Sequence, residues 1–280
     1  MTKLAVIQMN SASAVDENLA VANALLIEAS QAGAAVVVLP ENFCLMPAND
    51  ADRLAAAEND SSGPIQEFLS NTARELGIFI IAGTIPIRSS VKNKVRSACL
   101  VYNNDGERIV RYDKIHLFNV ELKNGESYSE SDNFDAGNDL KIVDTPVGRV
   151  GLTICYDMRF PEMYRRLLEM GAELFVVPSA FTATTGRAHW ELLLRSRAVE
   201  NLAFVAAPAQ VGEHANGRST YGDSMIIDPW GNILARREQA DAGVVVADID
   251  LAQMRKTRER FPVLSHRRIG TGGKHTVTKD

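Results

Sequence analysis

The sequence predicts an α/β protein whose sheets mix parallel and antiparallel strands, and three observations predict it. Continuous apolar segments alternate with amphipathic ones over the first 82 residues in the order β-α-β-α-β, the pattern of strands buried on both faces. Residues 96–112 then flank the turn Asn103-Asn104-Asp105-Gly106, a hairpin signal that demands antiparallel pairing. Finally, Gly33-Ala-Ala-Val-Val-Val-Leu-Pro40 is echoed by Gly171-Ala-Glu-Leu-Phe-Val-Val-Pro178, each with a helix-stopping glycine, an apolar strand and a strand-ending proline. The echo implies two related halves within one domain; chance similarity between two buried strands is the alternative.

Leu4 to Met9 reads as a short buried strand. A helix follows over about Glu17 to Ala32, with Leu19, Val21, Ala24, Leu25 and Ala29 as its apolar positions and Gly33 as its stop. Ala35 to Leu39 is a buried strand ended by Pro40. Pro64 opens a second helix and Gly77 closes it, because proline suits a first helical turn and glycine the left-handed end. Ile78 to Ala82 is the next strand, and Arg96 to Tyr102 with Glu107 to Tyr112 form the hairpin. Glu121 to Asn138 is polar, with five acidic residues against one lysine, and reads as a long loop. Loops of that length in compact domains usually carry function or move. The second half then offers a strand at Val150 to Ile154, a helix at Pro161 to Glu169, a strand at Leu174 to Val177 and a helix at His189 to Asn201. Strands near Phe204 to Ala207, Ser224 to Asp228, Ile233 to Ala235 and Val244 to Ile249 complete the pattern, with Pro229-Trp230-Gly231-Asn232 as a turn.

Composition narrows the partners. Of 280 residues 46% are apolar and 23% charged, and the net charge of -5 gives no general attraction to nucleic acid or anionic lipid. No apolar run is longer than Ala34 to Leu39, far too short to span a bilayer, and the N-terminus lacks the apolar core of a signal peptide. The expectation is a cytoplasmic protein with neither a nucleic-acid nor a membrane partner. From Ala252 onward eight basic residues face two acidic ones, so residues 1–265 read as the globular domain and 266–280 as a basic C-terminal tail suited to contacting another subunit.

Three cysteines, Cys44, Cys99 and Cys155, cannot all pair and show no CxxC spacing, which argues against a disulfide framework or a zinc knuckle. GxSxG, GxGxxG, Walker A and HExxH patterns are absent. Cys155 stands out, because it ends a buried strand and a helix begins within six residues at Pro161. A thiol at such a bend is lifted out of the sheet and lies near backbone N–H groups able to hold an oxyanion. The neighbours Tyr156, Asp157 and Arg159 fit a core thiol poorly, whereas Cys44 and Cys99 suit the core. A base could be Glu41, at the carboxyl end of the second strand, provided desolvation raises its pKa towards neutrality. A third piece is Lys114, within Tyr112-Asp113-Lys114-Ile115-His116-Leu117-Phe118; a surface lysine is the plain alternative.

Together Leu39-Pro40-Glu41-Asn42, Tyr112 to Leu117 and Gly151 to Glu162 resemble the three motifs of the nitrilase, or carbon-nitrogen hydrolase, superfamily, in order and over about residues 3 to 265. The resemblance implies a four-layer α-β-β-α sandwich with two mixed β-sheets, a runner-up fold being a single doubly wound sheet. It implies a Glu-Lys-Cys triad: Glu41 as general base, Lys114 stabilising the tetrahedral intermediate and Cys155 as nucleophile. Tyr128-Ser129-Glu130-Ser131 matches a further glutamate, Glu130, that positions the lysine and substrate. Arg159 matches an arginine that binds a substrate carboxylate in related carbamoylases, with a salt bridge to Asp157 or Glu162 as the alternative. Tyr156 and Arg187 join it as substrate-binding candidates, Arg187 as a rim charge. His189 is expected as a structural histidine.

Within the superfamily, Cys155 to Glu162, Ala188-His189-Trp190-Glu191, Arg195 to Glu200 and Asp228-Pro229-Trp230-Gly231 resemble the branch of deaminated glutathione amidases and omega-amidases. Asp223 stands where that branch would carry histidine. The resemblance implies hydrolysis of a small carboxylate-bearing amide to acid and ammonia through a cysteine thioester. It implies neither a metal nor an organic cofactor, and assembly as a homodimer or higher homo-oligomer. Omega-amidase or nitrilase activity, a non-catalytic scaffold, and a cysteine-histidine hydrolase using His116 or His189 are the competing readings.

Overall fold

Side-chain alternation along the apolar strands decides how the layers stack. The computed structural model describes residues 1–121, 125 and 127–269. Its first half runs β1 Thr2–Gln8, α1 Val15–Gln31, β2 Ala34–Val38, α2 Asp50–Ala55, α3 Pro64–Leu76, β3 Phe79–Ile81, β4 Ile85–Arg88, β5 Val95–Tyr102 and β6 Arg108–Asp113. A short hairpin, β7 Asn119–Glu121 with β8 Ser127–Ser129, and the single turn α4 Glu130–Asn133 follow. The second half runs β9 Ile142–Thr145, β10 Gly148–Leu152, a 3-10 turn Cys155–Arg159, α5 Pro161–Glu169, β11 Leu174–Val176, α6 Ala183–Asn201 and β12 Phe204–Ala207. It ends with β13 Val211–Glu213, β14 Ser219–Tyr221, β15 Ser224–Ile227, β16 Ile233–Arg237, β17 Gly243–Ile249 and α7 Leu251–Arg260.

One sheet has the order β17-β1-β2-β3-β5-β4, with β6 also on β5; the other is β16-β15-β12-β11-β10-β9. In the first, β1, β2 and β3 are parallel, with β17 antiparallel on one side and β5 on the other. In the second, β10, β11 and β12 are parallel, with β9 and β15 antiparallel outside them. The echoed segments thus occupy equivalent places, β2 and β11, in two sheets with one pairing scheme.

Leu4 and Val6 of β1 face the second sheet and join one core with Val36, Val38, Leu152, Val176 and Val205. Ala5 and Ile7, pointing the other way, pack with Leu25, Leu26 and Ala29 of α1 and Leu69 and Ala73 of α3. On the far side Tyr164 and Leu167 of α5 and Trp190, Leu194 and Ala198 of α6 cover the second sheet. The result is the four-layer α-β-β-α sandwich, with both sheets mixed. Fully burying each Val or Leu is worth about 1.5–3 kcal/mol, so the central layer dominates stability.

Several elements depart from expectation. Helix α6 begins at Ala183 rather than His189, because the Thr182 hydroxyl accepts from the Thr185 N–H and caps a weak Thr- and Gly-containing first turn. The acidic loop begins at the end of β7 and contains β8 and α4. Edge strand β4 escapes the pattern because Pro86 lies in it; the position is tolerated at the sheet edge, where beyond β5 only a bridge to Glu58 adds pairing and the Pro86 carbonyl accepts the Glu58 N–H. Residues 122–124 and 126 of that loop, and 270–280 of the basic tail, lie outside the described residues. Among the described residues no helix is long and apolar enough to cross a membrane.

Candidate active site

The site forms where strand ends of both sheets meet. From the first sheet comes Glu41, three residues beyond β2. Pro40 stops the ladder, and Gly83 passes so close that a Cβ there would lie 2.0 Å from the Pro40 carbonyl oxygen, at a φ of +54°. The Asn42 N–H donates to Thr84 Oγ1 at 2.8 Å, and Gln210 Nε2 donates to the Glu41 carbonyl at 3.1 Å. Lys114 follows β6, its N–H donating to the Ser97 carbonyl at 3.0 Å. Cys155 follows β10 in the second sheet, at a φ of +46°, with its N–H on the Pro178 carbonyl at 2.9 Å. A non-glycine residue in this left-handed region costs about 1–2 kcal/mol, and here it turns the thiol out of the sheet.

These groups converge. Lys114, only 1% exposed, donates from Nζ to Glu41 Oε1 at 2.8 Å and to Glu130 Oε2 and Oε1 at 2.9 and 3.1 Å. The other Glu41 oxygen accepts the Ala180 N–H at 2.7 Å, and the Cys155 thiol lies near enough for each group to bear on the other's charge. Glu130 Oε2 accepts the Phe118 N–H at 2.8 Å, so the start of α4 is tied down beside the ammonium. A surface lysine is therefore excluded. Cys155, Glu130, Phe118, Tyr156, Phe181, Thr182, Thr185 and Arg218 line a narrow cleft.

Electrostatics corrects one expectation. Burial pushes the Glu41 carboxyl up, but the Lys114 ammonium at hydrogen-bond distance outweighs it, so Glu41 sits below the usual carboxylate range rather than near neutrality. Burial and the Glu41 charge push the Cys155 thiol up, against opposition from Lys114 and Arg218. Lys114 is lowered by burial yet raised overall by Glu130 and Glu41, and stays charged. At rest the pair is thus thiol and carboxylate, and moving the proton to Glu41 is uphill.

Asp157 is fully buried, contrary to the view of its segment as unsuited to a core, because every side of its carboxylate is satisfied. Tyr112 Oη donates to Oδ2 at 2.6 Å and the Ile154 N–H at 2.9 Å; the His116 N–H donates to Oδ1 at 3.1 Å, with His116 Nδ1 at 2.7 Å. His116 stacks on Phe160 with centroids 3.7 Å apart. The network locks the Cys155 turn to the segment carrying Lys114. Sequence reasoning missed it, since nothing local marks a partner 45 residues away.

Arg159 makes neither proposed salt bridge. Its guanidinium lies 5.2 Å from the Phe181 ring centroid and 5.9 Å from that of Tyr156, with His189 Nδ1 3.4 Å from both terminal nitrogens. Tyr156 lines the cleft, whereas Arg187 is exposed and lines a separate outer groove along α6. Arg218 was missed altogether; the Asn216-Gly217 pair between β13 and β14 was the hairpin signal that could have placed it. Cys44 and Cys99 are fully buried core thiols, and burial raises Cys99 to about 12. Among the described residues no group of three His, Cys, Asp or Glu side chains is gathered to hold a metal ion.

Comparison with known proteins places this geometry in context. The carbon-nitrogen hydrolase family profile matches residues 3–259. A deaminated glutathione amidase of Yersinia enterocolitica is 40% identical over 245 residues, 87% of this chain and 85% of that protein. Omega-amidase NIT2 of Bos taurus is 36% identical over 266 residues, 95% of each chain. The crystal structure of the C. elegans NitFhit protein superposes with a TM-score of 0.88 at 36% identity, over 95% of this chain. This chain spans 65% of NitFhit, just under two thirds of its length.

Proposed function

This chain belongs to the carbon-nitrogen hydrolase family, hydrolases of C–N bonds other than peptide bonds, and we propose that it is an amidase acting through Cys155 on a small amide that carries a carboxylate. The observation that carries the reading is the chain of charges from buried Glu41 through buried Lys114 to half-buried Glu130, beside the Cys155 thiol in one cleft. The relatives named deaminated glutathione amidase and omega-amidase support the substrate class.

The uphill proton transfer is coupled to attack: Glu41 accepts the thiol proton as Sγ bonds to the amide carbon. The carbonyl electron pair moves onto oxygen, which Lys114 and the Tyr156 N–H stabilise. Collapse of this intermediate breaks the C–N bond; the nitrogen takes the proton from Glu41 and leaves as ammonia. A water then gives its proton to Glu41 while its oxygen adds to the thioester. Collapse returns the electron pair to sulfur, which regains the proton, and the carboxylic acid departs. Glu130 keeps Lys114 aimed during both halves, and Tyr156 and Arg159 border the incoming substrate.

The reading extends to a cytoplasmic homodimer or higher homo-oligomer, with residues 1–265 as the catalytic domain. Three free thiols suit a reducing compartment. Leu192 and Val199, seven residues apart on α6, are exposed, as are Trp230 and Phe261 with ring centroids 5.6 Å apart, and these apolar side chains are offered to a second subunit.

The test is intact-protein mass spectrometry during turnover of candidate amides, in a variant slow in deacylation. An acyl adduct on Cys155 with one equivalent of ammonia, and no turnover by Cys155→Ala, is expected. An active Cys155→Ala, or an adduct on Cys44 or Cys99 instead, overturns the mechanism. Product analysis with deaminated glutathione, 2-oxoglutaramate and a matching nitrile separates deaminated glutathione amidase, omega-amidase and nitrilase.

A further inference from the structure

We propose that Arg218 is the residue that selects an anionic substrate, its guanidinium receiving the substrate carboxylate inside the cleft that holds Cys155. The inference rests on the amidase reading above and names the group that would make that site prefer a carboxylate.

Arg218 ends the tight connection between β13 and β14. The His214 N–H donates to its carbonyl at 2.9 Å, the Gly217 N–H to the His214 carbonyl at 2.8 Å, and its own N–H to Asn216 Oδ1 at 3.0 Å. The backbone is thus fixed while the side chain reaches in and lines the cleft with Cys155, Glu130 and Phe118. One terminal nitrogen donates to the Ala180 carbonyl, in the residue whose N–H holds Glu41, and the guanidinium lies 5.3 Å from the Tyr128 ring centroid. Its Nε is buried and has no hydrogen-bond partner among the described residues. Buried donors are seldom left so, and an acceptor that arrives with the ligand would satisfy this one.

The charges argue the same way. Glu41, Lys114 and Glu130 sum to one negative charge, which would repel an anion entering a narrow cleft. Lys114 is already held by both carboxylates. Arg218 brings the sum to zero, and an arginine fork matches a carboxylate in two parallel hydrogen bonds. Arg159 stacks by Phe181 beside His189 and is not among the residues lining this cleft. Because Arg218 and Cys155 border one small space, the recognised carboxylate lies only a few bonds from the scissile carbon.

A structural role is the rival: through Tyr128, Arg218 could merely hold the segment bearing Glu130. Steady-state kinetics of the full chain on succinamate and on butyramide, a neutral amide of the same chain length, tells the two apart. Arg218→Gln is expected to lower kcat/KM for succinamate, mainly through KM, about 30-fold more than that for butyramide, whose smaller loss reflects the charge that Arg218 lends to Glu41 and Cys155. Arg218→Lys, which keeps the charge and stem but loses the fork, is expected to fall about 10-fold on succinamate alone, and serves if the glutamine variant does not fold. An equal loss on both amides, or none on succinamate, overturns the inference while leaving the amidase reading intact. Failure of the unmutated chain to hydrolyse either amide overturns the reading beneath it.

Discussion

Replacing Lys114 by methionine removes one ammonium from between two carboxylates while keeping much of its apolar stem. Lys114 is 1% and Glu41 3% exposed, so the vacancy cannot be filled by bulk water. Breaking a buried ion pair by deleting one partner costs about 3–5 kcal/mol, a large share of the 5–15 kcal/mol that holds a typical domain together. The pH dependence carries the sharper signature. In the unmutated chain Glu41 sits below its ordinary value of 4.5, so its contribution to stability is present above that pH and is lost as pH falls through the folded pKa. In Lys114→Met burial wins and raises Glu41, so the folded state binds the proton more tightly than the unfolded one and the variant gains stability on acidification. Between neutral pH and pH 5 the gap therefore closes from the variant's side, and only below 4.5 does the unmutated chain also lose stability. Urea unfolding followed by circular dichroism near neutral pH and near pH 5 measures it. A neutral-pH gap of about 3–5 kcal/mol that narrows by pH 5 is expected, with partial recovery in Lys114→Met/Glu41→Gln. A gap below about 1 kcal/mol, or one independent of pH, would refute the account of a single cation holding both acids.

Other perturbations probe the same site. The acid limb of kcat/KM should have its midpoint below 4.5, because Lys114 holds the base carboxyl down; a midpoint near 6 in protein still folded by circular dichroism would exclude Glu41 as the base in this charge state. Gly83→Ala should destabilise the chain by at least about 2 kcal/mol and lower kcat, since its Cβ would meet the Pro40 carbonyl and the φ is left-handed. Thermal melting and initial rates check this, and a fully stable, fully active Gly83→Ala would show that the Pro40-Glu41 corner is not set by that close approach.

What the sequence disclosed followed the range of its signals. Buried strands such as Ala34–Val38 and Leu174–Val176 announce themselves by continuous apolar residues, and Pro161 and Gly77 mark helix limits through backbone chemistry that acts within a few residues. Glu41, Lys114, Glu130 and Cys155 were named because their local motifs resemble a known set. The depressed state of Glu41 was not legible, since it depends on a cation 73 residues away, and burial alone points in the opposite direction. Asp157 and Arg218 were hidden for the same reason: their environments are made by Tyr112, His116, Ala180 and Tyr128, which no local pattern links to them. Short elements such as β13 and β14 bury too little sequence to show a period.

The pairing of β1 with β17 has a consequence for how the chain is made. Thr2 lies opposite Ile249 and Gln8 opposite Gly243, so β1 waits for a partner strand that is made far later. At about 5–20 residues per second, that interval is on the order of 10–50 s, during which one edge of β1 offers unpaired backbone to any other strand. The sheet that supplies Glu41 and Lys114 is closed only once β17 has been made. Recovery of hydrolysis after dilution from denaturant would time this long-range closure rather than the faster collapse of either half.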